Sequence, residues 1–316
     1  MEDFTENRFQ VGALAAPDHI LVATDLTDSD YLVPHTVAQA KASDAHVTLV
    51  HAILPSMPLD EGAIQYIDEA RVDRDVRLIL LGIARKIQSE GVACEIAVRH
   101  GYASEVIRKE ISRTGATRLI MGTHGRGKMA QIALGSVAKE LLISVDVPVF
   151  AVGPRSHSPG EHKTPKRLLH PVSFIGDYKK TVCFAIDLAQ TYRAELTLLH
   201  VLSGDAEKGA NLEPTLKWVK NALAALSPCA IDLAPPIHII AEPGNLVKEI
   251  INTAARMNVD WIVLGVHTDS SYWPFQDGTA YKVLAMADHP VLTLRHDAYH
   301  SEQANTESSS LAGVVR

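Results

Sequence analysis

The chain has 316 residues, 47% of them hydrophobic, and carries a formal net charge of −7 at pH 7. That length is about twice a typical domain, and that apolar content supports packed cores. The acidic balance argues against nucleic acid as the main partner, and no apolar run reaches the roughly 18–20 residues of a membrane span.

The opening Met1-Glu2-Asp3 is acidic and no apolar core follows it. A secretory leader is therefore not expected, and a cytoplasmic location is. Residues 1–17 read as a flexible lead. Residues 19–24 are a short apolar run suited to a buried strand, and the helix after it has Asp28 or Ser29 as N-cap candidates. A second strand is expected at 46–53. A long helix charged on one face follows over about 60–90, and Gly91 stops it. The third strand falls at 94–100, a helix at 104–113 is ended by Gly115, and the fourth strand falls at 118–121. A glycine-rich loop, a helix to about Val145 and a last strand at 148–152 complete the series. Residues 154–166, rich in Pro, Ser and charge, read as an exposed linker. Residues 297–316 have no core-forming pattern and read as a flexible tail. Cys94, Cys183 and Cys229 are widely spaced with no CxxC pair, and read as buried thiols in a reducing compartment.

The series occurs twice. Gly101, Gly122 and Gly135 recur as Gly244, Gly265 and Gly278 at a constant offset of 143 residues. Upstream, the run ending in His51-Ala52 recurs as the run ending in His200-Val201, at an offset of 149. The difference of six is a shorter connection in the second copy. Asp146-Val-Pro148-Val149 likewise recurs as Asp288-His-Pro290-Val291. Ordered matches of this kind define a tandem repeat, with domains over 18–153 and 167–296. Apolar strands separated by helices imply α/β domains. The expected fold is two tandem doubly wound parallel five-stranded sheets, Rossmann-like, each in strand order 3-2-1-4-5. Ligands of such sheets sit beyond the carboxyl ends of the strands.

In the first copy those ends carry Asp25, His51-Ala52 and Gly122. Asp25 is an acceptor for a ribose hydroxyl or a base amino group, or else a helix-capping aspartate. Ala23 and Ala52 are small enough to let a flat base lie close. Gly122-x2-Gly125-x9-Gly135-Ser136 follows the apolar run 119–121 and opens a helix at Ser136. Glycine lets the backbone approach a ligand, and a helix start favours an anion through its free N–H groups and dipole.

These residues resemble the universal stress proteins, specifically the nucleotide-binding branch, over nearly the whole chain from about 18 to 295. The resemblance implies an adenine nucleotide, ATP with Mg²⁺, in the first domain, and a nucleotide-responsive stress or signalling role. It implies that Asp25, Ala23 and Ala52 lie around the adenosine and that Met121 and Gly122 line the base or ribose pocket. Gly125, Gly135, Ser136 and Val137 would hold the phosphates, with His124 and Arg126 in the loop facing them. It also implies pairing through the last strand, either as a homodimer or between the two halves of one chain. No residue reads as a clear general base, so weak ATP hydrolysis is the most that is expected of it as an enzyme. A scaffold that binds partners without nucleotide is the remaining alternative.

The second copy departs from the signature. Ser173 stands where Asp25 does, Thr268 replaces the second glycine, and Tyr272, Trp273 and Phe275 enter the loop. Those aromatics either fill a vacated pocket, the favoured expectation, or form an interface patch. Gly122 to Met129 nearly matches a phosphate loop of the G-x4-G-K-[ST] type, but Met129 lacks the hydroxyl that would bind Mg²⁺. His296 and His300 have helical spacing without further metal ligands, and neither Gly-x-Ser-x-Gly nor Gly-x-Gly-x-x-Gly is present.

Overall fold

The structure, a computed structural model, describes residues 15–55, 68–123, 134–156, 164–174, 178–202, 212–225, 237–267 and 278–296. The chain parts into two compact units between Thr164 and Pro165. In the first unit β1 (His19–Ala23), β2 (His46–Ile53), β3 (Cys94–His100), β4 (Arg118–Gly122) and β5 (Val149–Val152) lie in the order β3-β2-β1-β4-β5. Every pairing within that order is parallel. The connecting helices are α1 (Ser29–Ser43), α2 (Glu69–Ser89), α3 (Ala103–Thr114) and α4 (Ser136–Ser144). The second unit runs β6 (Arg167–Pro171), α5 (Tyr178–Tyr192), β7 (Glu195–Leu202), α6 (Leu212–Ala225) and β8 (Ile237–Pro243). It continues with α7 (Leu246–Arg256), β9 (Trp261–His267), α8 (Thr279–Met286) and β10 (Val291–His296). Its order, β8-β7-β6-β9-β10, repeats that of the first, again all parallel.

Covering both faces of a parallel sheet with helices demands apolar residues on both faces of each strand. Ile20, Leu21 and Val22 of β1 and Leu119, Ile120 and Met121 of β4 are accordingly buried without alternation. The helices show the complementary pattern. On α2, Val76, Leu80, Ile83, Ala84 and Ile87 recur at helical spacing and are buried. The Asp68 carboxylate caps this helix by accepting from the Arg71 N–H at 3.1 Å, and Asn245 does the same for α7 through Lys248. The part of the expected helix that precedes Asp68 lies largely outside the described residues.

The two units also share backbone irregularities. After β3, Gly101 takes φ +140° and donates to Ile53 O, while Gly244 after β8 takes φ +150° and donates to Leu202 O. A Cβ on Gly244 would lie 2.8 Å from Glu249 Cγ, so geometry and space both require glycine there. Leu26 and Phe174, which follow β1 and β6 by the same interval, both sit in the left-handed region, at φ 74° and 56°. Duplicated strain of this kind is the structural counterpart of the sequence offsets.

Candidate functional site

Residues 124–133 lie outside the described residues, yet the two ends of their loop meet. Gly135 donates its N–H to Thr123 O at 2.9 Å, and Thr123 donates to Val152 O at 2.9 Å. The N-terminus of α4 is thereby held at the mouth of β4, beside β1, to which β4 pairs through Ala23 and Met121. Gly135 is the N-cap, in extended backbone, and no described side chain caps the helix. The first turn contains no acidic residue, and Ser136 and Val137 are exposed. Amides of the first turn have no carbonyl within the helix to bond, so this is a ready anion seat.

The carboxyl end of β1 is more intricately held than its sequence implies. Asp25 Oδ1 accepts from the Thr27 N–H at 2.8 Å and from Thr27 Oγ1 at 2.6 Å, closing the turn that leads to α1. Asp25 is therefore a turn residue, and the cap position of α1 falls to Asp28. Asp28 is the N-cap of α1, but its side chain makes no cap bond. Its carboxylate turns inward instead, accepting from Thr24 Oγ1 and more loosely from the Asp25 N–H at 3.4 Å. A Cβ on Gly122 would lie 3.1 Å from both Asp28 Oδ2 and Tyr31 Oη. The first glycine of the signature thus leaves room for a buried carboxylate and a phenol. Burial pushes the Asp28 carboxyl up to about 6, despite the Thr24 hydrogen bond, and the neighbouring Asp25 charge adds to the rise. Burial and the same two carboxylates push the Tyr31 hydroxyl up as well. Asp28, Thr24 and Tyr31 were not singled out by spacing or motif as site residues.

The sign of the Asp28 effect follows from the raised folded value. A raised carboxyl favours the protonated folded state, so its contribution is fully present below the ordinary 3.8 and is lost as pH rises toward 6. Asp28→Asn, which imitates the neutral form, is expected to gain about 2 kcal/mol on wild type between pH 4 and pH 7.5. Urea midpoints at the two pH values test this. A difference between variant and wild type that does not change with pH would refute the buried ionisation.

The other expected residues fall as follows. Ala23 and Ala52 are half-buried at the ends of β1 and β2, and Met121 is buried in β4. His51 is fixed by a 2.7 Å hydrogen bond from Nδ1 to Thr24 O, which ties the mouth of β2 to that of β1. His124, Gly125 and Arg126 lie outside the described residues.

The second unit reproduces this frame with different side chains. His200 Nδ1 bonds Val172 O at 2.7 Å, which places Ser173 in the position of Asp25. Gly278 caps α8 in the same extended backbone as Gly135, again with no side-chain cap and no acid in the first turn. Two aromatics change the surroundings. Phe174 packs against Tyr178, His200 and Trp218, with ring centroids 5.3, 4.9 and 6.2 Å away. Tyr281, where the first unit has Ala138, brings Cδ2 within 3.2 Å of a Cβ built on Gly278. Thr268 and the loop aromatics Tyr272, Trp273 and Phe275 lie outside the described residues. Among the described residues, no group of three or more His, Cys, Asp or Glu could hold a metal ion. Nor is any helix among them long and apolar enough to cross a membrane. Burial pushes the Cys94 thiol up to about 12, which makes it inert.

Fold and crevice together define a tandem α/β protein of the Rossmann-like class with an open helix terminus at the sheet mouth. The universal stress protein family model matches residues 17–153 and again 165–295, and the chain belongs to that family. No curated protein matches it. Among solved structures, a universal stress protein of Archaeoglobus fulgidus DSM 4304 is 22% identical, with a TM-score of 0.68 over 90% of this chain and 97% of that one. A functionally unknown protein of Pseudomonas aeruginosa PAO1 is 17% identical, with a TM-score of 0.61 over 96% of this chain and 99% of that one. Both likenesses are likenesses of fold.

Proposed function

We propose that the first domain binds an adenine nucleotide, ATP with Mg²⁺, and that the protein is a nucleotide-responsive stress or signalling protein of the cytoplasm. The observation that supports this most is the N-terminus of α4, which no described side chain caps and whose first turn holds no acid, tethered at the mouth of β4 by the Gly135–Thr123 hydrogen bond. In this reading the amides of Gly135, Ser136 and Val137 hold phosphate oxygens, each bond to a charged oxygen contributing roughly 1.5–3 kcal/mol. Gly125, His124 and Arg126 of the loop complete that cradle. The base lies over Ala23 and Ala52, with Met121 and Gly122 beneath it, and Asp25 Oδ2 faces the ribose or the base. Signalling then requires that nucleotide bind one pairing of domains, or of chains, more tightly than another.

Calorimetric titration of ATP with Mg²⁺ into nucleotide-stripped protein tests the reading. One site per chain with micromolar affinity is the expected result. Two sites would show that Phe174, Tyr281 and the lost signature residues leave the second crevice open. Absence of binding in folded protein would remove the nucleotide reading and leave a scaffold.

A further inference from the structure

Three large apolar side chains of α2 stand in solvent, Leu78 at 67%, Ile79 at 46% and Leu81 at 40% exposure. The opposite face of the helix packs on the core, so these three side chains lie outside its packed face. Gly82 lies in the middle of it. Glycine is the poorest helix former after proline, yet a Cβ built on Gly82 meets nothing within 4 Å. Alanine would fit freely and hold the helix better. A backbone approached closely from outside the domain supplies the missing reason for glycine at this position.

Charge complementarity selects the occupant. Asp75, Ile79, Gly82 and Lys86 follow one another at helical spacing in one row along the helix. When two copies of a helix pack antiparallel about a twofold axis, each edge meets itself. A single register then sets Asp75 against Lys86 of the partner subunit and, in the same step, Ile79 against Gly82 of the partner subunit, each contact occurring twice. Neither charge is strongly committed within its own chain. Asp75 lies 3.9 Å from Arg71, and Lys86 lies 3.9 Å from Asp30, both in exposed pairs of little energetic weight.

We propose that α2 is a self-complementary docking surface for a second copy of this chain. The pair is antiparallel, with Ile79 seated on glycine at the centre, Asp75–Lys86 ion pairs at the rims, and Leu78 flanking the seam. A helix of 21 residues is only about 30 Å long. One helix face covers less than the roughly 800 Å² per partner of a standard interface, so the association is weak and concentration-dependent.

Sedimentation equilibrium of the full-length protein, from micromolar to millimolar concentration and without nucleotide, tests the proposal. Gly82→Gln is expected to raise Tm by about 2–4 °C, because a better helix former replaces glycine, while weakening association at least tenfold. The gain in Tm shows that the variant folds. Asp75→Lys alone and Lys86→Asp alone should each weaken association several-fold, and the two together should restore it to within about threefold of wild type. A wild-type protein that stays monomeric throughout overturns the proposal. So does association that Gly82→Gln leaves unchanged, which would place the contact elsewhere, or a double charge exchange that fails to restore pairing.

Discussion

Replacing Gly122 by valine is expected to weaken nucleotide binding by at least about 100-fold and to cost the first domain about 1–3 kcal/mol of stability. The two effects have one origin. Any Cβ at this position lies 3.1 Å from Asp28 Oδ2 and 3.1 Å from Tyr31 Oη. Asp28 is almost wholly buried and is held by Thr24, so it has little room to retreat. Valine adds two further methyl groups, which strain the side chains or displace the end of β4. Displacing β4 moves Thr123, and with it Gly135 and the N-terminus of α4, which are tied to it by a hydrogen bond. A shift of about 1 Å at such a seat is enough to misplace several donors together. Gly122→Ala should show a smaller loss, and Tyr31→Phe in that background should return part of it by removing the hydroxyl that the new methyl meets. Calorimetric titration follows binding and urea unfolding follows stability. Additive effects of Gly122→Ala and Tyr31→Phe would sink the packing explanation, since residues in contact do not behave independently.

The sequence does not mark such a carboxylate, for a physical reason. An aspartate one residue before a helix reads as a cap, and Asp28 is the N-cap residue by position. Its side chain is held inward by the Thr24 hydroxyl four residues back, in space that Gly122 leaves open 94 residues further on at the end of β4, and no local pattern encodes that space. Asp25 shows the converse. Its place at the end of β1 was evident, but its hydrogen bonds to Thr27 depend on the left-handed backbone at Leu26, a conformation unusual for a branched residue. In the second unit, Ser173 and the loop aromatics stand out in the sequence because they break the signature. Phe174 and Tyr281 break no signature, and only their packing places them around the equivalent crevice. Strands and repeat, by contrast, were legible because they rest on local composition. A parallel sheet covered on both faces needs unbroken apolar runs, and the same turn needs glycine in both copies at Gly101 and Gly244.

Mild acid is expected to destabilise the second domain by about 3 kcal/mol through one residue, His170. It lies at the centre of that sheet, on β6, and its side chain is completely buried. Nδ1 bonds Val263 O at 2.9 Å, which fixes the neutral ring with its proton on that nitrogen. Nε2 has no polar partner among the described residues. Burial holds the imidazole down at about 4, against an ordinary 6.5, although the carbonyl of Val263 pulls the other way. A depressed base gives stability that is fully present above 6.5 and lost as pH falls from there toward 4, because the unfolded chain takes up a proton that the folded chain refuses. The interval corresponds to about 3 kcal/mol. His200, depressed by its own burial, acts in the same direction. The chain supplies a selective probe, since its three tryptophans, Trp218, Trp261 and Trp273, all fall in the second half. Urea unfolding followed by tryptophan fluorescence at pH 7.5 and pH 4.5 therefore reports that domain. His170→Leu gives up the bond to Val263 and costs about 1–2 kcal/mol at pH 7.5, yet it should lose far less than wild type on acidification and so become the more stable form near pH 4. Parallel losses in wild type and variant would show that the acid lability lies elsewhere.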